Sequence, residues 1–156
     1  MPSRIPPQVF SPADPAFEQR VRESFARQQL MRTIGAELTS VSPGEVVIEL
    51  PFREDLTQQH GYLHAAITTA IVDSACGYAA YSLMPADAAV LTAEFKVNFL
   101  APAAGRRFVA HGRVMKAGRT LTVTAGEVFA ETGSEQRPVA TMLATVMTVS
   151  SREISG

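Results

Sequence analysis

The chain has 156 residues, of which 46% are hydrophobic, and its formal net charge is -1 at pH 7. This length and hydrophobic fraction fit a single compact domain with a sizeable core. The near-neutral charge lacks the clustered basic excess that binding to nucleic acids or anionic membranes requires, so we expect neither as a partner.

The sequence also indicates a compartment. Its single cysteine, Cys76, cannot form an intrachain disulfide, and the first residues lack the basic segment and apolar run of a secretion signal. The longest apolar stretch, residues 65–84, is interrupted by Asp73 and contains several hydroxyl side chains, which is unlike a transmembrane helix. We therefore expect a cytoplasmic protein that does not span a membrane.

The N-terminal part is predicted to form an arm followed by a helix. Residues 1–15 carry five prolines and no periodic pattern, which indicates an extended arm without chemistry of its own. Between residues 15 and 31, Phe17, Val21 and Phe25 recur every fourth position among charged side chains. That spacing predicts an amphipathic surface helix.

A hairpin and a long helix are expected next. The apolar runs at residues 34–38 and 46–50 are separated by Ser42-Pro43-Gly44, which predicts a β-hairpin. Residues 64–83 then predict one central helix that ends before Pro85. Because this helix is apolar nearly all round, it must be buried nearly all round.

Four strands are predicted to follow the central helix. Residues 89–100 alternate strictly, with Leu91, Phe95 and related apolar side chains on one face and Thr92 on the polar face. Turn residues separate three more strands, at residues 107–116, 121–130 and 139–150. This order predicts an α+β fold in which one antiparallel sheet covers one helix. We expect a single domain over residues 16–150 and a C-terminal tail over residues 151–156.

Asp73 is the first candidate for chemistry. It stands in the middle of the central helix, where aspartate has low helix propensity and burial of its charge is costly. Buried carboxylates with perturbed pKa values are concentrated at functional sites, so we predict a general base or a nucleophile. The alternative is that Asp73 lies on a hydrated stripe of the helix or bonds a neighbouring subunit.

The start of the central helix is the second candidate. Unpaired backbone amides at a helix N-terminus, with the positive end of the helix dipole behind them, can bind an oxyanion. We predict that the amide of Ala65 is this donor. The side-chain amide of Gln58 could bind a carbonyl or an attacking water, although Gln58 taken alone could equally be a solvated loop residue.

The spacing of these residues predicts an oligomer. Ala65 and Asp73 are eight residues apart, which corresponds to roughly 12 Å along a helix. One reacting carbon cannot lie about 3 Å from both groups of a single helix. Two copies of the helix packed antiparallel about a two-fold axis would bring Ala65 of one chain near Asp73 of the other, so we predict a homodimer with two shared sites.

No metal or other cofactor is expected. His60 and His64 are four residues apart, but the glutamate of the HExxH zinc motif is missing and Gly61 weakens a helix there. We predict instead that His64 orients the loop at the start of the helix. Ser74 directly follows Asp73, so the two side chains point in different directions and do not suggest a catalytic triad.

Basic residues flank the predicted strand at residues 107–116. Arg106 precedes it, and Lys116 and Arg119 lie at its other end, where they could bind the phosphates of a nucleotide-bearing substrate. For each residue taken singly, a solvated turn charge is the better interpretation.

These motifs resemble the phenylacetate-degradation type, or PaaI-like, family of hotdog thioesterases. The family motif is His-Gly-Gly followed seven residues later by an acidic residue, and this chain has His64-Ala65-Ala66 followed by Asp73. The similarity extends through residues 94–102 and 116–120 and covers most of the chain beyond residue 34.

The resemblance implies a hotdog fold, in which a curled antiparallel sheet wraps one long helix, and hydrolysis of acyl-CoA thioesters at a homodimer interface, often within a homotetramer of two dimers. By position it assigns Asp73 as base or nucleophile, the Ala65 amide as oxyanion donor and His64 as a supporting residue. Thr92 matches a Ser or Thr that helps position the water in relatives. Gln58 stands where many members have Asn.

Two departures from the family pattern concern the substrate. Ala65 and Ala66 replace the two glycines and add methyl groups where the backbone approaches the substrate, while Gln58 is longer than the usual Asn. The predicted substrate-binding residues are Gly61, Tyr62, Ala66, Lys116, Arg119 and Arg106.

Two other functions remain open from the sequence. A hotdog hydratase or dehydratase acting on enoyl or hydroxyacyl thioesters usually requires a histidine poised with the carboxylate, a role that His60 or His64 would have to fill. A non-catalytic acyl-CoA binding module is the other, although no DNA-binding segment accompanies the domain as a regulator would need.

Overall fold

The computed structural model describes residues 8–154 of the chain. Residues 1–7 of the predicted arm and residues 155–156 of the predicted tail lie outside the described residues. Within residues 8–15, Phe10 is half-buried and packs on the core, where its ring covers Gly44. The described residues end with a short helix at Ser151–Ile154, at the start of the segment predicted as a tail.

The N-terminal helix is two helices. Helix α1 spans Phe17–Arg27 and helix α2 spans Gln29–Ile34, and Gln28 between them has an extended backbone conformation. Helix α2 ends at Gly35, whose φ of 79° places it in the left-handed region that favours glycine. The prediction of one helix over residues 15–31 is therefore wrong at Gln28, and so is the strand predicted from Ile34, which is the last helical residue.

The central helix α3 spans Ala65–Tyr81, with His64 as its N-cap residue, and confirms the predicted long helix to within a few residues. Strands β2 to β6 all contact it. The six strands are β1 (Glu37–Ser42), β2 (Glu45–Pro51), β3 (Ala88–Phe99), β4 (Arg107–Lys116), β5 (Leu121–Thr132) and β6 (Glu135–Ser150).

One antiparallel sheet with the strand order β1-β2-β4-β5-β6-β3 curls around α3. The sheet reaches the helix backbone where Gly112 of β4 is paired with Gly126 of β5. A methyl group on Gly112 would lie 2.3 Å from the carbonyl carbon of Ala75, and one on Gly126 would lie 2.4 Å from Cγ2 of Val72. These glycines remove the side chains that would hold the helix away from the sheet. The hotdog architecture predicted from the sequence is confirmed.

Strand β3 forms one edge of the sheet and contains an irregularity at Ala93. Thr92 pairs with Val146 and Phe95 pairs with Ala144, so Ala93 is left over as a β-bulge. Directly paired residues share a face of the sheet, and both Val146 and Ala144 are fully buried beneath α3. The strict alternation predicted for this strand is therefore wrong, because the bulge turns Thr92 to the same face as Phe95.

Helix α1 runs antiparallel along the C-terminal half of α3. The guanidinium of Arg20 donates hydrogen bonds to the carbonyl oxygens of Met84, at 2.7 Å, and Tyr81, at 3.3 Å. One turn further along α1, the hydroxyls of Ser24 and Tyr78 share a hydrogen bond of 3.3 Å. These contacts place α1 over the C-terminal half of α3 and not over its N-terminal half. We call the side of α3 that neither α1 nor the sheet fully covers, and that carries Asp73, the open face.

None of the helices in residues 8–154 is both long enough and apolar enough to cross a membrane.

Candidate functional site

Asp73 lies on the side of α3 that the sheet does not fully cover. Its neighbours Val72 and Ala75 are fully buried, whereas Asp73 itself is half-buried. The hydroxyl of Thr92 donates a hydrogen bond of 2.8 Å to Oδ1 of Asp73. Burial raises the pKa of Asp73 above the usual value of 3.8, and the Thr92 hydrogen bond opposes this rise only in part. A carboxylate in this environment is a better proton acceptor than one in water.

The first turn of α3 presents one unused amide. Nδ1 of His64 accepts a hydrogen bond of 2.9 Å from the amide of Ala66, and the amides of Ile67 and Thr68 donate to the carbonyl oxygen of His64. For the amide of Ala65, residues 8–154 provide no acceptor. The Ala65 N–H is thus available to a ligand, as an oxyanion donor must be.

The side chain of His64 holds this arrangement through its hydrogen bond with the amide of Ala66. Because Nδ1 accepts a hydrogen bond from Ala66, the proton of the neutral imidazole is on Nε2. The side chain of His64 therefore caps the helix, and its predicted role in orienting the preceding loop stays a prediction.

The loop before α3 forms a cleft of about 530 Å³ next to this amide. Gln58, Tyr62 and Ala65 line one side of it. The Oε1 atom of Gln58 accepts a hydrogen bond from the amide of His60, which leaves its two N–H donors available. Gly61 makes the turn possible, since its φ of 83° lies in the left-handed region. The rest of the lining is mostly apolar: Leu63, Thr68, Phe99, Leu100, Ala101, Pro102, Ala103 and Val139.

Asp73 is not part of this cleft. The helix is continuous between Ala65 and Asp73, so the separation of roughly 12 Å expected from helical geometry applies within one chain. The structure thus brings together two groups of predicted residues, Asp73 with Thr92 and Gln58 with Ala65, and keeps the groups apart.

The predicted phosphate-binding residues are also divided between two places. Arg106 precedes β4 and Lys116 ends it, so roughly 33 Å of strand separates them at about 3.3 Å per residue. Arg119 lies in the turn after Lys116. All three are exposed and form no ion pair with a carboxylate in the part of the chain that the structure covers. Within one chain, Arg106 and Lys116 cannot bind the same phosphate group.

Cys76 lies one turn beyond Asp73 but points into the core. It is fully buried, and burial raises the pKa of its thiol to about 12. A thiol in this state is not a nucleophile at neutral pH. Within residues 8–154, no three His, Cys, Asp or Glu side chains converge in a way that could hold a metal ion.

The sequence did not single out the apolar wall of the cleft or the exposure of β3. Phe95 and Phe99, expected on a half-buried face, are 43% and 50% exposed because the edge strand extends past α3. Phe99 lines the cleft together with Leu100 and Pro102. These side chains carry no charge and no nucleophile, so nothing in their chemistry marks them in a sequence.

Known sequences that are similar to this chain include thioesterases and esterases. A profile of the thioesterase superfamily matches residues 60–136. A putative esterase from Saccharolobus solfataricus is 31% identical over 104 residues, which cover 66% of this chain and 74% of the relative. A 1,4-dihydroxy-2-naphthoyl-CoA hydrolase from Listeria monocytogenes is 28% identical over 103 residues, which cover 66% of this chain and 84% of that enzyme.

The solved structures that are similar to this chain also include a thioesterase family protein. A thioesterase family protein from Silicibacter pomeroyi is 53% identical, with a TM-score of 0.85, over 86% of this chain and 98% of that one. The PaaI protein of the E. coli phenylacetic acid degradation operon is 19% identical, with a TM-score of 0.77, over 85% of this chain and 93% of that one. At this identity the likeness to PaaI shows the fold alone.

Proposed function

This chain belongs to the thioesterase superfamily and is a thioester hydrolase, and from this premise we propose that it converts acyl-CoA to free acid and CoA with Asp73 as the central catalytic group. The observation that carries the assignment is the half-buried carboxylate of Asp73, which has a raised pKa and a hydrogen bond from Thr92 on the open face of α3. The unused amide of Ala65 supplies the complementary electrophilic group.

The reaction needs two groups at the substrate carbonyl. The Ala65 N–H donates to the carbonyl oxygen and stabilises the negative charge that develops there. In the base mechanism, Asp73 takes a proton from water, the hydroxide adds to the carbonyl carbon, and the C–S bond breaks to release the thiolate. In the nucleophile mechanism, Asp73 itself adds to the carbon, and the C–S bond breaks to release the thiolate and leave a mixed anhydride on Asp73. Water then hydrolyses this anhydride to the free acid and the Asp73 carboxylate. Labelled oxygen from water that appears in the Asp73 carboxyl after a single turnover would identify the nucleophile mechanism, with water attacking the carboxyl carbon of Asp73.

A homodimer completes this site. Asp73 and Ala65 of one chain lie roughly 12 Å apart, so a single substrate carbonyl can meet Asp73 of one subunit and Ala65 of the other when two α3 helices pack antiparallel. The open edge of β3 and the exposure of Phe95 and Phe99 favour a partner at this side of the molecule. A homotetramer of two such dimers is the larger assembly that we propose.

The remaining predicted residues fit supporting roles in substrate binding. Gln58 offers side-chain N–H donors and Tyr62 an aromatic wall inside the cleft, while Gly61 shapes the loop that carries them. Ala66 acts through its amide, which holds His64. The phosphates of CoA are bound by the exposed cations at either end of β4, which are Arg106 at one end and Lys116 with Arg119 at the other.

A panel of short, long and aromatic acyl-CoAs, assayed for release of free thiol, tests the proposal. General-base catalysis contributes about a hundredfold or more, so Asp73→Asn should abolish measurable turnover while circular dichroism shows an intact fold. Asp87→Asn, which changes an exposed aspartate in the turn before β3, is the matched control and should retain the parent rate. Hydrolysis of several acyl-CoAs by Asp73→Asn at the parent rate would rule this mechanism out.

A further inference from the structure

Two adjacent threonines near the start of α3 bond to different peptide groups. The hydroxyl of Thr68 donates a hydrogen bond of 3.5 Å to the carbonyl oxygen of His64, and the hydroxyl of Thr69 donates one of 2.8 Å to the carbonyl oxygen of Ala65. Both bonds reach back four residues along the helix. They differ in the amide that each of them affects.

The hydroxyl of Thr68 depends on the His64 carbonyl. Thr68 lines the cleft beside Ala65, yet its side chain is only 1% exposed. Within residues 8–154, the carbonyl oxygen of His64 is the one acceptor in reach of its hydroxyl. The bond is long for a hydroxyl donor, but a buried polar group needs a partner, and hydrogen bonds at catalytic sites are often long before the substrate binds.

This carbonyl belongs to the peptide group that carries the proposed oxyanion donor. The C=O of His64 and the N–H of Ala65 lie in one planar peptide group, and the described residues contain no cis peptide bond. In a trans peptide the C=O and the N–H point in opposite directions. Donors that hold the carbonyl toward the body of α3 therefore hold the N–H toward the end of the helix, where Ala65 lines the cleft.

Three donors converge on the carbonyl oxygen of His64. The amide of Ile67 lies 3.0 Å away, the amide of Thr68 lies 3.2 Å away, and the Thr68 hydroxyl is the third. A hydrogen bond at the oxygen of a peptide group draws electron density from its N–H, which becomes a stronger donor by about 10–30% per bond. The side chain of Thr68 thus acts on the strength of the Ala65 N–H as well as on its direction.

Thr69 makes the same kind of bond to the next peptide group. The C=O of Ala65 shares its peptide with the N–H of Ala66, and this N–H already donates to Nδ1 of His64. Any polarisation by Thr69 therefore reaches an amide that is occupied. The two threonines differ in whether the amide that they affect is free for a ligand.

We propose that Thr68 is a positioning residue for the oxyanion donor: its hydroxyl holds and polarises the His64–Ala65 peptide group, so that the Ala65 N–H stabilises the charge that develops on the substrate carbonyl. This inference rests on the proposed hydrolysis of acyl-CoA with the Ala65 amide as donor. Thr68 acts through the peptide group and takes no part in proton transfer.

The first test is kinetic. Thr68→Val removes the hydroxyl and keeps the shape of the side chain. Loss of a whole oxyanion donor costs about 10²–10³ in kcat, and a share of about 10–30% of that free energy corresponds to a fall of about two- to eightfold. KM should not change, because the charge develops only in the transition state. Thr68→Ser keeps the hydroxyl and should restore the wild-type kcat, while Thr68→Ala removes it and gives a second measurement of its loss.

The second test measures the hydrogen bond itself. In full-length Asp73→Asn, the carbonyl of a bound acyl-CoA labelled with ¹³C persists long enough for infrared difference spectroscopy. A hydrogen-bond donor lowers the stretching frequency of this carbonyl. When Thr68→Val is added to Asp73→Asn, the frequency should rise toward that of the free thioester, a change that a purely structural role of the side chain would not produce.

Thr69→Val is the matched control, since it removes a hydroxyl that bonds in the same way to the neighbouring carbonyl. It should keep the wild-type kcat and KM and, in the Asp73→Asn background, the parent frequency. Equal losses in Thr68→Val and Thr69→Val would overturn the inference. A raised KM with unchanged kcat in Thr68→Val would overturn it too, because the hydroxyl would then support substrate binding alone.

The outcomes separate this inference from the proposed function. If the wild-type enzyme hydrolyses acyl-CoA and Thr68→Val matches its kcat and KM, the inference fails and the proposed function stands. If no acyl-CoA of the panel releases thiol with the wild-type enzyme, both fail.

Discussion

The hydroxyl of Thr92 lies 2.8 Å from Oδ1 of Asp73, although 19 residues of chain separate the two and they belong to different elements. The contact depends on the bulge at Ala93, since without it Thr92 would face away from α3. A single additional residue in an edge strand therefore sets the environment of the proposed catalytic carboxylate.

Removal of the Thr92 hydroxyl should move the pH dependence of catalysis. The Thr92 hydrogen bond lowers the pKa of Asp73, and burial raises it. Thr92→Val keeps the shape of the side chain and removes the donor, so the pKa of Asp73 rises further. Because Asp73 works as a carboxylate in the proposed mechanism, the acidic limb of the kcat/KM profile should shift to higher pH. Thr92→Ser retains the hydroxyl and should keep the wild-type limb, and an unshifted limb in Thr92→Val would contradict the role of this hydrogen bond.

The charge of Asp73 should cost stability at neutral pH. In the unfolded chain its carboxyl titrates near the usual value of 3.8, and in the folded protein its pKa is raised. Between these two values the folded state holds a proton that the unfolded state has lost, so stability falls as the pH rises through this window and the full cost applies above it. Asp73→Asn should therefore raise Tm at pH 7 and leave it unchanged near about pH 3. Equal effects of the substitution on Tm at both pH values would show that the charge is not the cause.

Shared sites predict complementation between two variants that each lose activity. Asp73→Asn and Gln58→Ala each damage both sites of a homodimer, but a mixed dimer has one site with both defects and one intact site. After random exchange of subunits, roughly a quarter of the wild-type activity should return, since half of the dimers are mixed and each has one working site. Mixtures that remain inactive after verified exchange would place Asp73 and Gln58 in sites that do not cross subunits.

The glycine contact between the sheet and α3 should tolerate no side chain. Gly112→Ala would place a methyl group 2.3 Å from the carbonyl carbon and oxygen of Ala75, and these backbone atoms cannot rotate away. We expect a loss of about 1–3 kcal/mol or more in the free energy of unfolding, measured in urea. Gly77→Ala is the control within α3, because no heavy atom lies within 4 Å of the added methyl group, and it should gain up to about 1 kcal/mol. A neutral Gly112→Ala would show that the sheet can move away from the helix.

Much of the fold could be predicted from the sequence, because the relevant signals are local or periodic. The apolar helix with Asp73 at its centre, the turn residues between β4, β5 and β6, and the order of elements all follow from composition and spacing. The spacing of Ala65 and Asp73 along the sequence also predicted that the two residues lie far apart, and the continuous helix α3 agrees with this separation. For these features, local propensity and tertiary packing favour the same structure.

The features that the sequence missed depend on contacts between distant residues. The bulge at Ala93 arises from pairing with β6, and the sequence of β3 alternates without any sign of it. The helical pattern of the sequence continues through Gln28 to residue 31 and gives no sign of the break between α1 and α2. The contact of Gln28 with Ser74 of α3, which is distant in the sequence, needs the amide at that position. Gly35, in contrast, is a stop signal for α2 that is visible in the sequence itself, and it contradicts a strand that begins at Ile34.

The buried Cys76 has a practical use at the bench. Reagents that count free thiols react with thiolates, and a thiol that is fully buried with a pKa of about 12 remains silent toward them. In the native enzyme such a reagent therefore reads only the CoA that is released. In urea the same reagent reacts with Cys76 as soon as the core opens, and since this is the only cysteine of the chain, one colour reaction reports catalysis in the first case and unfolding in the second.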